Sequence, residues 1–364
     1  MLQVGDDGND SGTLLAEGTA DSIITFTALN DSVGGWEGIY FDDGSDYGCS
    51  SVLEYCDIQK GNEYNIYCFN TNNITFSHCS FDSAYTYGAK IHNSNITLNT
   101  SSIENNNIGL YSQSAKPSLD DVLIQNNTTA GIESSNEPPL ISNSLIQNNN
   151  VYEFNVTEAD GYPVLTDTDV IGNGSIIQID GGIITNYDRT FVNFGGDYHI
   201  VGDIEVWDAN DITNLTIEPG ITFKASESAG LQIGDDANDG GSLTAEGKAD
   251  SLINYTLISD TISTWEGLYF ADGSDYSSAA SSLAYCYFNH GNNYNVYCEN
   301  TNSIEFSNCV FDSAAAYGVK INNANITINN SSMENNNVGF YSQSAIPSLD
   351  DVLIQNNTTA GIES

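Results

Sequence analysis

The chain says most of its content twice. Leu2-Gln-Val-Gly-Asp-Asp returns as Leu231-Gln-Ile-Gly-Asp-Asp, and Trp36-Glu-Gly-Ile-Tyr-Phe returns as Trp265-Glu-Gly-Leu-Tyr-Phe. Pro117-Ser-Leu-Asp-Asp-Val-Leu-Ile-Gln-Asn-Asn comes back intact from Pro347. The offset is 229 residues early in the repeat and 230 later, so one insertion separates the copies. A tandem duplication of about 230 residues, kept in register, is how stacked and quasi-one-dimensional folds are built.

A finer period runs inside each copy. Segments beginning at Asn73, Asn95 and Leu119 follow one another about 22 residues apart, and Leu140 continues the series. Apolar residues alternate within them, as in Ile74 with Phe76 and Ile96 with Leu98. A second alternation follows in Ile66 with Cys68, Ala89 with Ile91, Leu110 with Ser112 and Ile132 with Ser134. Alternation means short strands with one buried face. Asn105-Asn-Asn, Asn126-Asn, Asn148-Asn-Asn and glycines 88, 109 and 131 read as the turns between them. Asn tolerates left-handed backbone, and stacked Asn side chains can bond the backbone of neighbouring coils. No stretch carries a capped 3.6-residue period, so a helical or α/β fold is excluded. The fold class predicted is all-β, a right-handed parallel β-helix (β-solenoid) with columns Ile66/Ala89/Leu110/Ile132 and Cys68/Ile91/Ser112/Ser134.

Leu215-Thr-Ile-Glu-Pro-Gly-Ile-Thr-Phe, then Gly241-Ser-Leu-Thr-Ala-Glu-Gly, then Trp265-Glu-Gly-Leu-Tyr-Phe resemble the right-handed parallel β-helix superfamily, to which the pectin-active enzymes belong. The succession is similar to modules carried by very large secreted surface proteins of bacteria and archaea. The resemblance implies the fold and leaves the activity open, since one scaffold hosts many functions. It also sets the expected boundaries, because Asp197–Gly220 has no counterpart at the start of copy one and would open a module. Module one is then 1–186 and module two 187–364, both truncated pieces of a longer array wound as one rod. Roughly 15 coils at about 4.8 Å each make that rod about 70 Å long. Glu158-Ala-Asp-Gly-Tyr-Pro interrupts the period, which places a shift near 155–200.

Seven basic residues against 49 acidic ones give a formal charge of −42. Nucleic acid is excluded as a partner, because phosphate contacts need basic patches. Membrane insertion is excluded by the lack of any long apolar run. Asn-x-Ser/Thr triplets recur from Asn9 to Asn357, and with the acidity they predict an extracellular or cell-surface setting. Seven cysteines lack zinc spacing. Cys56, Cys68 and Cys79 return as Cys286, Cys298 and Cys309, while Cys49 is unmatched. Cys56 and Cys79 fall at equivalent positions of adjacent coils and should stack inside as buried thiols, with a disulfide between coils as the alternative.

Chemistry is thinly signalled. Gly5-Asp-Asp-Gly-Asn-Asp-Ser-Gly recurs as Gly234-Asp-Asp-Ala-Asn-Asp-Gly-Gly. Asp6, Asp7, Asn9 and Asp10, with Asp235, Asp236, Asn238 and Asp239, are the candidate metal ligands, since four clustered oxygen side chains suit Ca²⁺. A solvated acidic turn explains the same pattern. Otherwise no cofactor is required. Asp120-Asp121 and Asp350-Asp351 are adjacent carboxylate pairs, but strand neighbours point to opposite faces and cannot serve one substrate. A lyase pairing calcium with a basic side chain finds Arg189 as the sole arginine and lysines that do not cluster. His78, His92, His199 and His290 are scattered. Tyr55, Tyr64, Tyr67, Tyr85, Tyr87 and Tyr111 include rings outside the core, able to stack on sugars or meet protein partners.

Duplication without a unique catalytic constellation predicts a non-enzymatic extracellular structural or adhesive segment: a rigid stalk, surface-layer or filament block. Its expected partners are neighbouring modules or further copies joined head-to-tail, and glycans. The competing expectation is a polysaccharide-active β-helix enzyme, lyase or glycoside hydrolase, or a carbohydrate-binding module.

Overall fold

The alternating apolar residues form three short strands per turn, and each turn lays its strands beside those of the turn before. The computed structural model describes residues 1–48, 50–227, 229–259 and 264–364; Cys49 lies outside them. Among the described residues the chain is an all-β parallel solenoid of about 14 turns with about 23 residues in each. It comprises two compact units, Met1–Ile177 and Gln178–Ser364.

In the first unit one sheet runs through Leu2–Val4, Ile39–Phe41, Tyr64–Phe69, Tyr87–His92, Ile108–Gln113, Ala130–Ser135 and Tyr152–Val156. We call this the first face. The register places Ala89 between Ile66 and Leu110, with Ile132 next, and Ile91 between Cys68 and Ser112. These are the columns expected from the alternation. A second face includes Ile74–Ser77 and the start of Thr97–Glu104. A third includes Cys56–Gln59, Ser80–Asp82 and the end of Thr97–Glu104. Leu98 stands opposite Phe76 and Leu119, and Ile74 therefore stacks on Ile96 rather than on Leu119. The second unit repeats the three faces. Its first face runs Gly182–Ile184, Ile204–Val206, Gly230–Ile233, Gly267–Phe270, Tyr294–Glu299, Tyr317–Asn322, Val338–Gln343 and Ala360–Glu363. The only helical turns described are short 3₁₀ segments at Asp43–Asp46, Ala159–Gly161 and Asp272–Ser278.

Side chains on the inner side are fully buried, among them Phe76, Phe81, Leu98, Leu119, Phe288 and Phe306. Each such burial contributes about 2 kcal/mol before entropy is counted. The interior of the second unit is markedly aromatic, with Tyr255 stacked between Phe223 and Phe288 at ring separations of 5.0 and 4.6 Å.

The corners are held by asparagine. Asn105, Asn126 and Asn148 take left-handed backbone at φ near 57°, and their neighbours Asn106, Asn127 and Asn149 form a buried ladder. Asn106 N donates to Asn127 Oδ1 at 3.0 Å, and Asn127 N donates to Asn149 Oδ1 at 3.1 Å. Glycines 88, 109 and 131 are not turn residues, as the sequence suggested; they lie within first-face strands beside this ladder. A Cβ at Gly131 would stand 2.5 Å from Asn149 Nδ2, so the ladder excludes any side chain there. Register puts Glu153 in the glycine position of the next turn. It turns inward and ends the ladder, accepting from Asn149 Nδ2 at 2.6 Å and Ser175 Oγ at 2.8 Å.

A candidate carbohydrate site on the first face

The outward positions of the first face carry a column that recurs in both units. In the first unit it reads Gln3, Tyr40, Tyr67, Lys90, Tyr111, Glu133. In the second it reads Glu205, Gln232, Tyr269, Tyr297, Lys320, Tyr341. Period two sends these side chains to solvent while their neighbours fill the core. Tyr40 stacks on Tyr67 and Tyr269 on Tyr297, each with centroids 5.1 Å apart. Lys90 Nζ sits 4.7 Å from the Tyr67 ring centre, and Lys320 Nζ 4.3 Å from that of Tyr297. The ring faces are therefore occupied by one another and by ammonium groups, and solvent meets mainly phenol edges and hydroxyls. Of the tyrosines singled out from sequence, Tyr67, Tyr87 and Tyr111 belong to this surface. Tyr64 is buried, Tyr85 is exposed on a loop, and Tyr55 lies at another corner.

At one end of the second unit's column the surface opens into a cleft of about 210 Å³. Asp203, Glu205 and Glu266 line it beside Tyr269 and Tyr294. Gly230 forms part of its floor, where a Cβ would lie 3.2 Å from both Asp203 Oδ1 and Glu266 Cβ. Asp203 Oδ1 and the Cβ of Glu266 thus flank the same glycine. Gly267, at φ +105°, lets the chain pass against Tyr294, whose carbonyl would stand 2.4 Å from any Cβ there. Glu205 accepts from Trp207 Nε1 at 2.9 Å, and Tyr269 donates its hydroxyl to Glu299 Oε2 at 2.9 Å. Burial, with the charges of Glu266 and Asp203 behind it, pushes the Tyr294 phenol up to about 12. Hydrogen bonds from Tyr297, Asn322 and Tyr269 hold the Glu299 carboxyl below its ordinary value against the opposing effect of burial. No lysine or arginine lines this cleft.

A second concavity, about 730 Å³ and open, lies at a corner of the first unit. Tyr55 and His78 stack at 4.4 Å along it, and Asp57 and Asp82 stand on its floor. Burial raises the Asp57 carboxyl, the charge of Asp82 adds to that, and a bond from Gln59 Nε2 at 2.7 Å opposes it.

The acidic loops form tight turns. Asp10 N donates to Asp7 O at 3.0 Å and Asn9 N to Asp7 Oδ1 at 3.1 Å; Asp239 N donates to Asp236 O at 3.0 Å and Asn238 N to Asp236 Oδ1 at 3.1 Å. Gln3 reaches Asp6, and Gln232 reaches Asp235, tying each turn to its first-face column. Burial and its acidic neighbours Asp236, Asp235 and Asp208 raise the Asp239 carboxyl. Among the described residues no three His, Cys, Asp or Glu side chains come together in a way that could hold a metal ion. Asp120 is a corner residue accepting from Ser142 and Asn143, with Asp121 beside it at φ 56°. Arg189 begins strand Arg189–Phe191, is 1% exposed and donates to Tyr187 O.

Residues 19–197 match the family described as the right handed beta helix region. The chain is a right-handed parallel β-helix. No curated protein matches this β-helix in sequence. Among solved structures it is similar to the catalytic unit of a thermostable alpha-1,3-glucanase from Streptomyces thermodiastaticus, at 11% identity and TM-score 0.33, over 95% of this chain and 71% of that one. It is also similar to tailspike protein 3 of bacteriophage CBA120, at 10% identity and TM-score 0.25, over 96% of this chain and 53% of that one. At such identities the likeness is one of fold alone.

The expectation of a non-enzymatic structural or adhesive segment is corrected here. The fold that matches is that of a glucanase's catalytic unit and of a tailspike protein. That expectation also assumed no catalytic constellation, and in the second unit Asp203, Glu205 and Glu266 line one cleft. The sequence reading missed it because its three acids come from two turns about sixty residues apart, spaced unlike any motif. Its one visible signal was the stretch 197–220, which copy one does not repeat. No helix among the described residues is long and apolar enough to cross a membrane.

Proposed function

We propose that this β-helix is a polysaccharide-active protein that works outside the cell, holding a neutral glycan along the first face of the second unit and hydrolysing it at the carboxylate cleft. The observation that carries the reading is that Asp203, Glu205 and Glu266 line one cleft beside Tyr269 and Tyr294, at the end of the column that bears the Tyr269 and Tyr297 hydroxyls.

Glycoside hydrolysis needs two carboxyl groups flanking the scissile bond. One gives its proton to the leaving oxygen, and the other, ionised, assists water or attacks the anomeric carbon directly. Asp203 and Glu266 are the pair that flanks Gly230, with Glu205 held by Trp207 Nε1. The glycosidic C–O bond breaks, and water supplies hydroxyl to one product and hydrogen to the other. The tyrosine column supplies phenol hydroxyls and the Glu299 and Asn322 side chains as partners for sugar hydroxyls.

A neutral polymer fits better than a uronate. The chain carries −42 formal charge, and Lys90 is bound to Glu63 at 2.5 Å and Lys224 to Asp197 at 2.6 Å. A polyanion would meet repulsion, and lyase chemistry would find no basic side chain lining this cleft.

The test is release of reducing ends from neutral glucans, mannan and xylan against pectate and alginate. Hydrolysis of a neutral polymer, reduced roughly a hundred-fold or more in Asp203→Asn and Glu266→Gln, is the expected outcome. Cleavage confined to uronate polymers, or full activity in both variants, would overturn the proposal.

A further inference from the structure

Four of the six buried thiols form two pairs that the carbohydrate chemistry does not use. Asp57 lies opposite Ser80 in parallel register, so Cys56 and Cys79, each one residue earlier, are neighbours on adjacent turns. Tyr287 opposite Val310 places Cys286 beside Cys309 in the same way. All four are between 1% and 3% exposed. Their thiols point to one corner of the interior: Cys56 Sγ donates to Ala16 O at 3.4 Å and Cys79 Sγ to Leu53 O at 3.3 Å. Cys286 and Cys309 repeat this toward Ala245 O and Leu283 O at 3.3 and 3.5 Å. Neighbouring strands stand about 4.8 Å apart, inside the Cα separation of roughly 4.4–6.8 Å that a disulfide tolerates. Cys68 and Cys298 differ, for their column neighbours are Phe41 with Ile91, and Phe270 with Ile321.

Cys56 and Cys79 also line the open groove of the first unit. We propose that Cys56–Cys79 and Cys286–Cys309 are oxidation sites, each closing into a disulfide between adjacent turns when hydrogen peroxide is supplied. A thiolate attacks one peroxide oxygen, giving a sulfenic acid and hydroxide. The partner thiolate then attacks the sulfenic sulfur, forming the S–S bond and expelling hydroxide. Two thiol protons and two hydroxides make two waters, so the protein loses two electrons per pair and the peroxide gains them. Parallel side chains hold their Cβ atoms farther apart than the mean of about 3.8 Å, so the bond should be readily reduced.

The experiment uses full-length Cys49→Ser protein, treated with peroxide, freed of it, then unfolded in N-ethylmaleimide and mapped by mass spectrometry. Adducts at Cys68 and Cys298 only are expected, with a mass lower by about 2 Da per pair before alkylation. Dithiothreitol should restore six adducts. Cys56→Ser should keep only the Cys286–Cys309 link, and Cys286→Ser only the Cys56–Cys79 link. Six adducts after peroxide, sulfinic acid at these positions, or Cys68 or Cys298 among the linked residues would overturn the proposal.

Discussion

The corner where Asp57 meets Asp82 in the first unit has its equivalent at Tyr287 and Asp312 in the second, and the two have parted company. In the second unit the Tyr287 hydroxyl donates to Asp312 Oδ2 at 2.7 Å. Burial would raise the Asp312 carboxyl, but bonds from Tyr287, Asn335 and Ser313 outweigh it and hold the group low. In the first unit a carboxyl replaces the phenol, Gln59 becomes its partner, and Asp57 is raised instead. Beneath both corners the interior is the same: Phe81 and Phe311 fully buried, Cys79 and Cys309 beside them, Asn106 and Asn336 in their ladders. A solenoid turn fixes what points inward, because each inner side chain must match the turns on either side. Outward positions answer to no such neighbour and are free to acquire separate chemistry.

That comparison can be broken most sharply in the ladder. Asn127 and Asn336 are both fully buried and make matching bonds. Each Asn→Ala change strands backbone donors and acceptors and should cost about 3 kcal/mol in denaturant unfolding. A large cost in one unit and none in the other would show that the interiors are not equivalent.

The corner itself offers the next effect. Tyr287→Phe removes one of the three side-chain donors to Asp312, leaving Asn335 and Ser313, and should cost about 1 kcal/mol. Asp57→Tyr should gain a bond to Asp82 and come out neutral or slightly stabilising. If Asp57→Tyr destabilises as much as Tyr287→Phe, the two corners do not share a frame.

Glu153 gives a pH signature restricted to the first unit. Burial raises its carboxyl, against bonds from Asn149 and Ser175. A carboxyl raised in the folded state binds more protons there than when unfolded. Stability is then greatest below the unfolded value of about 4.3 and falls as pH climbs toward the folded value. Glu153→Gln should flatten that fall when thermal midpoints are followed across it. Identical pH profiles for the two proteins would refute the assignment.

The smallest difference concerns the lysines of the columns. Lys90 is paired with Glu63, whereas the equivalent of Glu63 beside Lys320 is Asn293. Lys90→Met should therefore cost a few tenths of a kcal/mol more than Lys320→Met, and molar salt should erase the gap.

Much of this was legible in the chain. Period two around Ile66, Ala89, Leu110 and Ile132 identified the columns because a stacked interior imposes like residues at one spacing. The Asn runs announced the ladders for the same reason. Gly131 and its equivalents were misread as turns, since their role depends on an amide from another turn, which no local pattern encodes. The cleft was harder still: Asp203 and Glu266 are remote in sequence and come near Gly230 only because its turn lies between theirs. Leu119 was set in series with Asn73 and Asn95, whereas the register pairs it with Leu98.

The most direct test is a crystal structure of the protein soaked with neutral oligosaccharides of several linkages, using Glu266→Gln to prevent turnover. Sugar density over Gly230, running from the Asp203 side of the cleft along Tyr269 and Tyr297, is the result predicted. Density confined to the Tyr55–His78 groove, or a cleft left empty beside saccharide bound elsewhere, would contradict the account.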